Sequence, residues 1–213
     1  MGIADDEEVL FKTLRYQNSD IVIDGVVDEA SFLSARYRIV YILKEVNGGK
    51  GWDLREYVCD GARPQTWDNI ARWTEGILSW EQDFAWKIMC ANNEERRKNE
   101  LKKIAVVNLK KLPGGHTSDS RKIYEAALTN SEVVMKQLAL YHADFIILCG
   151  TESAFIASCY GNTEVEWKST RHGVRYFADC STVIISFSHP AARVSDNLLY
   201  YALIDAIREI QGG

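Results

Sequence analysis

Three short apolar runs, each ending abruptly in a polar group able to do chemistry, constrain this chain most: residues 38–46 (RIVYILKEV), 103–108 (KIAVVN) and 183–190 (VIISFSHP). They are rich in β-branched residues and separated by helical stretches, so they read as buried parallel strands. Ligands of an open α/β sheet collect outside the carboxyl ends of its strands. Glu45, Asn108 and His189 therefore belong on one rim, which acquires a carboxylate, an amide and an imidazole. A further run, 144–150 (DFIILCG), supplies another strand, giving four central strands in all.

With 213 residues, 46% hydrophobic and 26% charged, the chain can bury one sizeable core, and a single domain over residues 1–213 is expected. The net charge of -5 argues against a protein that coats nucleic acid, but does not exclude an enzyme that acts on it. The five cysteines are odd in number and lack Cys-x-x-Cys spacing, which suits reduced thiols and indicates no zinc or iron-sulfur site. The acidic start (Asp5, Asp6, Glu7, Glu8) and the lack of any run approaching a membrane span lead to the expectation of a cytoplasmic protein without membrane contact.

Along the chain, residues 4–16 read as an amphipathic helix, and Asp24-Gly25 within 21–27 (IVIDGVV) as the turn of a small hairpin or a bent extended segment. Asn47-Gly48-Gly49 frees the backbone just beyond Glu45. Ile70, Trp73, Ile77, Trp80 and Phe84 recur at three- and four-residue intervals and form the core face of a helix. Trp52 falls outside that period, in the glycine-rich segment. The basic stretch 87–103 reads as a solvated helix face, and Lys110-Lys111 follow the second strand into a rim loop, 109–118 (LKKLPGGHTS). Residues 171–177 read as an extended edge. Leu199, Leu203, Ile207 and Ile210 face the core from a final helix capped by Ser195 or Asp196.

Over about residues 37–210 the order of these motifs resembles the uracil-DNA glycosylase superfamily. The segment 43–48 (LKEVNG) corresponds to the family's first motif, Val107-Asn108 to the strand end whose amide reads a flipped base, and Ser188-His189-Pro190-Ala191 to the motif whose imidazole stabilises the departing base. The family's proline is replaced by Val46, so either Glu45 or Asn47 supplies the group that organises water. The resemblance implies a three-layer α-β-α fold around a central four-stranded, mainly parallel sheet, with no metal or cofactor. It also implies that Arg193 fills the opened base stack; no motif marks the aromatic that stacks on the base, for which Trp52, outside the helical period, is the candidate, and the charge of Lys110 and Lys111 offers them to DNA phosphates.

The chemistry of the residues agrees with that reading. Breaking an N-glycosidic bond builds positive charge on the sugar and negative charge on the leaving base, so a carboxylate and a hydrogen-bond donor are needed on opposite sides. Glu45 and His189 supply them, and the Asn108 amide offers both donor and acceptor to a base edge. Each also has a structural reading: Glu45 paired with Lys44, Lys50 or Arg55, Asn108 as a turn residue, His189 bonded to backbone. His116 lies in the rim loop, and neither His142 nor His172 has partners at metal-ligand spacing. The expected function is a monomeric glycosylase acting on DNA with a damaged or modified base, in repair or in defence against modified phage DNA. The alternatives are a non-catalytic DNA- or protein-binding module and a hydrolase of small nucleosides or nucleotides.

Overall fold

A run buried on both faces must divide its side chains between two cores, and the central strand does so: Ile39, Tyr41 and Leu43 enter one, Val40 and Ile42 the other. In the computed structural model, which describes residues 2–115 and 117–212, the strands are β1 (Gly25–Val26), β2 (Ile39–Leu43), β3 (Ile104–Asn108), β4 (Phe145–Cys149), β5 (Lys168–Ser169), β6 (Arg175–Asp179) and β7 (Thr182–Phe187). They form one sheet in the order β1-β3-β2-β4-β7-β6-β5. β3, β2, β4 and β7 run parallel, whereas β1 pairs antiparallel with β3, β6 with β7 and β5 with β6.

The expected four-stranded, mainly parallel sheet of the uracil-DNA glycosylase type is thereby corrected. Among the described residues the sheet is seven-stranded and mixed, with three parallel and three antiparallel pairings. Its added strands carry little period-2 signal: β1 and β5 have two residues each, and β6 is largely exposed. Of the two readings of the segment around Asp24-Gly25, the hairpin is not formed and the bent extended segment is: Gly25 and Val26 pair with Val106 and Ala105 of β3 as an edge.

Helices cover both faces. On the first lie α3 (Leu54–Cys59), α4 (Pro64–Leu78) and α10 (Asp196–Gly212), which bury Val58, Ile70, Trp73, Ile77, Leu203 and Ile207. Trp80 and Phe84 lie beyond the end of α4 but pack against the same core. Fully burying one such side chain contributes roughly 1.5–3 kcal/mol before conformational entropy is subtracted. Pro64 at the start of α4 fixes a helical φ where no backbone donor is needed. The second face is covered by α2 (Glu29–Ser34), α7 (Ser120–Thr129), α8 (Ser131–Tyr141) and α9 (Glu152–Cys159) through Phe32, Ile123, Val134 and Phe155. The Asp119 carboxylate caps α7 by accepting from the Arg121 and Lys122 backbone N–H groups.

The basic stretch is more internal than a solvated face. α5 (Trp86–Met89) precedes α6 (Asn93–Glu100), whose Arg97 is buried, pairs with Asp68 and donates to Gly61 O at 2.7 Å. The first helix, α1 (Ile3–Gln17), inserts the fully buried Glu7 into the domain. No helix among the described residues is long and apolar enough to cross a membrane.

Candidate functional site

Because β3, β2, β4 and β7 are parallel, their carboxyl ends share one side of the sheet. A cleft of 480 Å³ opens there, and Glu45, Asn47, Trp52, Asn108 and His189 all line it. Arg63, Gln65 and Thr66, at the start of α4, form part of its wall.

Glu45 sits two residues beyond β2, where the chain continues to pair after the strand has formally ended. Lys110 N donates to Lys44 O at 3.0 Å and Gly114 N to Val46 O at 2.8 Å. This holds the 109–115 loop against the Glu45 segment. Its side chain is only 5% exposed and its Oε2 accepts from Lys110 Nζ. Gly114 lies so close that an added Cβ would overlap the Glu45 carboxylate and push it from its place beside Lys110. The sequence reading missed this role, for which Pro113-Gly114-Gly115 after a strand is the available signal.

Asn108 is 1% exposed and ends β3 on the sheet face that carries Ile104 and Val106. Its backbone N–H and its Nδ2 both donate to Asp24 Oδ2, at 2.8 and 3.2 Å. Among the described residues its Oδ1 has no partner although it is buried. A buried acceptor left unpaired costs free energy that a ligand can recover by supplying a donor.

His189 follows β7 and is half-buried. The Ala191 backbone N–H donates to its Nδ1 at 3.1 Å, so in the neutral ring the proton resides on Nε2. Burial, and secondarily the charge of Lys44, push its pKa below the ordinary value of 6.5. A neutral imidazole that donates from Nε2 follows. The Pro190 carbonyl next to it accepts from Asn69 Nδ2 at 2.8 Å, and Asn69 and Arg72 both bond to Asp196, fixing the turn between α4 and α10. Neither Asn69 nor Arg72 stood out in the sequence, since both sit within the apolar period of α4.

Trp52 stands edge-on to Tyr57 with ring centroids 5.4 Å apart, and its buried Nε1 lacks a partner among the described residues. Gly49, at a φ of +77°, lets the backbone pass against the indole where a side chain would collide with it. The loop is held from α1: Arg15 donates to the carbonyls of Ile21, Gly51 and Trp52. Asn47 is exposed at the mouth of the cleft.

The residues expected to meet DNA separate. Arg193 is exposed on the loop after Pro190. Lys110 turns into the rim towards Glu45 instead of standing free. Lys111 is corrected: its side chain is 1% exposed, and Nζ donates to Asp24 Oδ1 at 2.7 Å and to Gln137 Oε1 at 2.6 Å, so it cannot reach a phosphate. His116 lies outside the described residues. His142 and His172 are exposed, and among the described residues no group of three His, Cys, Asp or Glu could hold a metal ion.

The chain matches no family model and no curated protein.

Proposed function

We propose that this chain hydrolyses an N-glycosidic bond, removing a damaged or modified base from DNA. The observation that carries the reading is the meeting, in one cleft, of the Glu45 carboxylate, the unpaired Asn108 amide oxygen and the His189 imidazole biased towards its neutral form. Glu45 opposes the positive charge that develops on the sugar and orients water, with Asn47 beside it on the same rim. His189 donates from Nε2 to the departing base as negative charge builds there. Asn108 receives an N–H of the base, and the unpaired Trp52 Nε1 is a donor for a carbonyl. Arg193, exposed on the following loop, is suited to occupy the space an extruded base leaves. This division of labour calls on no metal or cofactor. The five free cysteines suit a reducing, cytoplasmic setting.

Base release from labelled duplexes and single strands containing uracil, hypoxanthine, xanthine or hypermodified cytosine tests this. Release by the wild type that falls at least ~100-fold in E45Q or H189A is the expected result. No release from any substrate would sink the catalytic reading. A second reading, a binding module without catalysis, is favoured by the ion pair that occupies Glu45. It expects E45Q to leave DNA binding and the biological effect intact, whereas R193A weakens binding.

A further inference from the structure

Behind the cleft a carboxylate that the reaction does not use is filled on both oxygens. Asp24, 1% exposed, precedes the edge strand β1. Its Oδ1 accepts from Lys111 Nζ at 2.7 Å and Gln137 Nε2 at 3.0 Å, and its Oδ2 from the backbone N–H and the side-chain Nδ2 of Asn108 at 2.8 and 3.2 Å. The orientation of each amide follows from charge. Lys111 has donors only, so it meets an oxygen of Gln137, and this turns Gln137 Nε2 towards Asp24. Asp24 in turn offers acceptors only, so the Asn108 amide must face it with nitrogen. A flip of Asn108 would oppose two oxygens in a site that water does not reach. The Asn108 oxygen is thereby left over, buried and unpartnered, on a residue that lines the cleft.

We infer that Asp24, paired with Lys111, is a positioning residue that fixes the Asn108 amide oxygen as an acceptor for the cleft, selecting a base that presents a ring N–H over one that presents a bare ring nitrogen. The inference rests on the proposed base-binding role of Asn108 and deepens it. A lactam or imide edge, with an N–H beside a carbonyl, satisfies this oxygen. An edge with an unprotonated ring nitrogen at that position sets acceptor against acceptor and leaves both unpaired. Asp24→Asn removes the constraint, because an amide at position 24 can meet either orientation of Asn108.

The test is equilibrium binding of two free bases, uracil and cytosine, to the full chain, followed through the ¹⁵N-labelled side-chain amide of Asn108. Wild type is expected to prefer uracil by at least ~10-fold in Kd, the effect of roughly one well-placed hydrogen bond. D24N is expected to bring the two affinities within about 3-fold of each other. Should D24N fail to fold because Lys111 loses its counter-charge, the double variant D24N/K111M removes the pair together and carries the same expectation. A folded variant that keeps the wild-type preference, or a wild type that binds neither base, overturns the inference. If wild type shows the Asp24-dependent preference but releases no base from any DNA, the positioning role stands and the glycosylase reading fails.

Discussion

Lys110 and Lys111 are neighbours in sequence and occupy opposite environments. Lys110 points to the rim, where its side chain is 20% exposed and bonds to Glu45; Lys111 points inward, 1% exposed, and bonds to Asp24. The separation arises where the chain bends after β3. Leu109 N and Lys110 N donate in succession to Leu43 O and Lys44 O, which holds the bend against the end of β2 with Lys110 beside Glu45 and Lys111 beside Asp24. A pair of like charges that looks like one phosphate-binding patch is thus divided between the rim of the cleft and a buried support behind it. The difference is energetic as well as spatial: the deeper a pair is buried, the more it costs to break it from one side, and the Asp24 pair is the deeper of the two.

The comparison is broken most severely at the buried pair. K111A leaves Asp24 without its cation in a site closed to water and is expected to cost about 3–5 kcal/mol of stability. D24N/K111M should recover much of that loss, because no uncompensated charge remains. Urea unfolding of D24N, K111M and D24N/K111M measures this, and strictly additive losses would show that the two residues do not act as a pair. K110A, by contrast, should cost less than K111A, because the carboxylate it leaves lines a cleft that opens to solvent.

The rim side of the comparison is next in size. E45Q keeps the shape of the side chain and removes its charge, so base release should fall roughly 100- to 1000-fold while the unfolding midpoint stays near wild type. G114A should act on the same carboxylate through space, since the added methyl would overlap it. A fall of about 10- to 100-fold in kcat is expected, without exceeding that of E45Q. If G114A and E45Q combined were much worse than E45Q alone, Gly114 would serve something other than Glu45.

These two regions also mark how far the sequence could be read. Glu45, Asn108 and His189 could be assigned to one rim because each ends a short apolar run, and parallel runs place their ends on one side. That signal is local and periodic. The partner of Lys111 is 87 positions away, and Asp24-Gly25 carries the composition of a tight turn, so nothing nearby marks Asp24 as half of a buried ion pair. Of the strands beyond the parallel set, β6 overlaps the extended edge read at 171–177 and β1 lies in the extended segment read at 21–27, but their pairing, and β5 altogether, escape for a related reason. β1 and β5 are two residues long, too short to show a period, and exist because a neighbouring edge offers them hydrogen bonds. Asn69 and Arg72 are hidden differently, as polar residues within an apolar helix face whose purpose is visible only once the Pro190 carbonyl arrives beside them.

The smallest effect concerns the other cation near the rim. Lys44 neighbours Glu45 in sequence, yet its charge acts on His189. Burial is the larger cause of the depressed imidazole pKa and the Lys44 charge the smaller, so K44A should raise the His189 titration midpoint without returning it to 6.5. Ring-proton NMR against pH reads it directly, and a midpoint that reaches or passes 6.5 in K44A would reverse the assigned order of causes. The sign for stability follows from the same shift. With the folded value below the unfolded one, the unfolded chain binds more protons between the two. The contribution of neutral His189 is therefore complete above 6.5 and is lost as pH falls from there through the folded value. K44A narrows that window from its acid side, so the acid limb of its stability profile should be less steep than that of wild type. K110A, whose cation faces Glu45, should leave the His189 titration unchanged. A common shift from both lysines would mean that the rim responds to total charge instead of to the particular neighbour each lysine has.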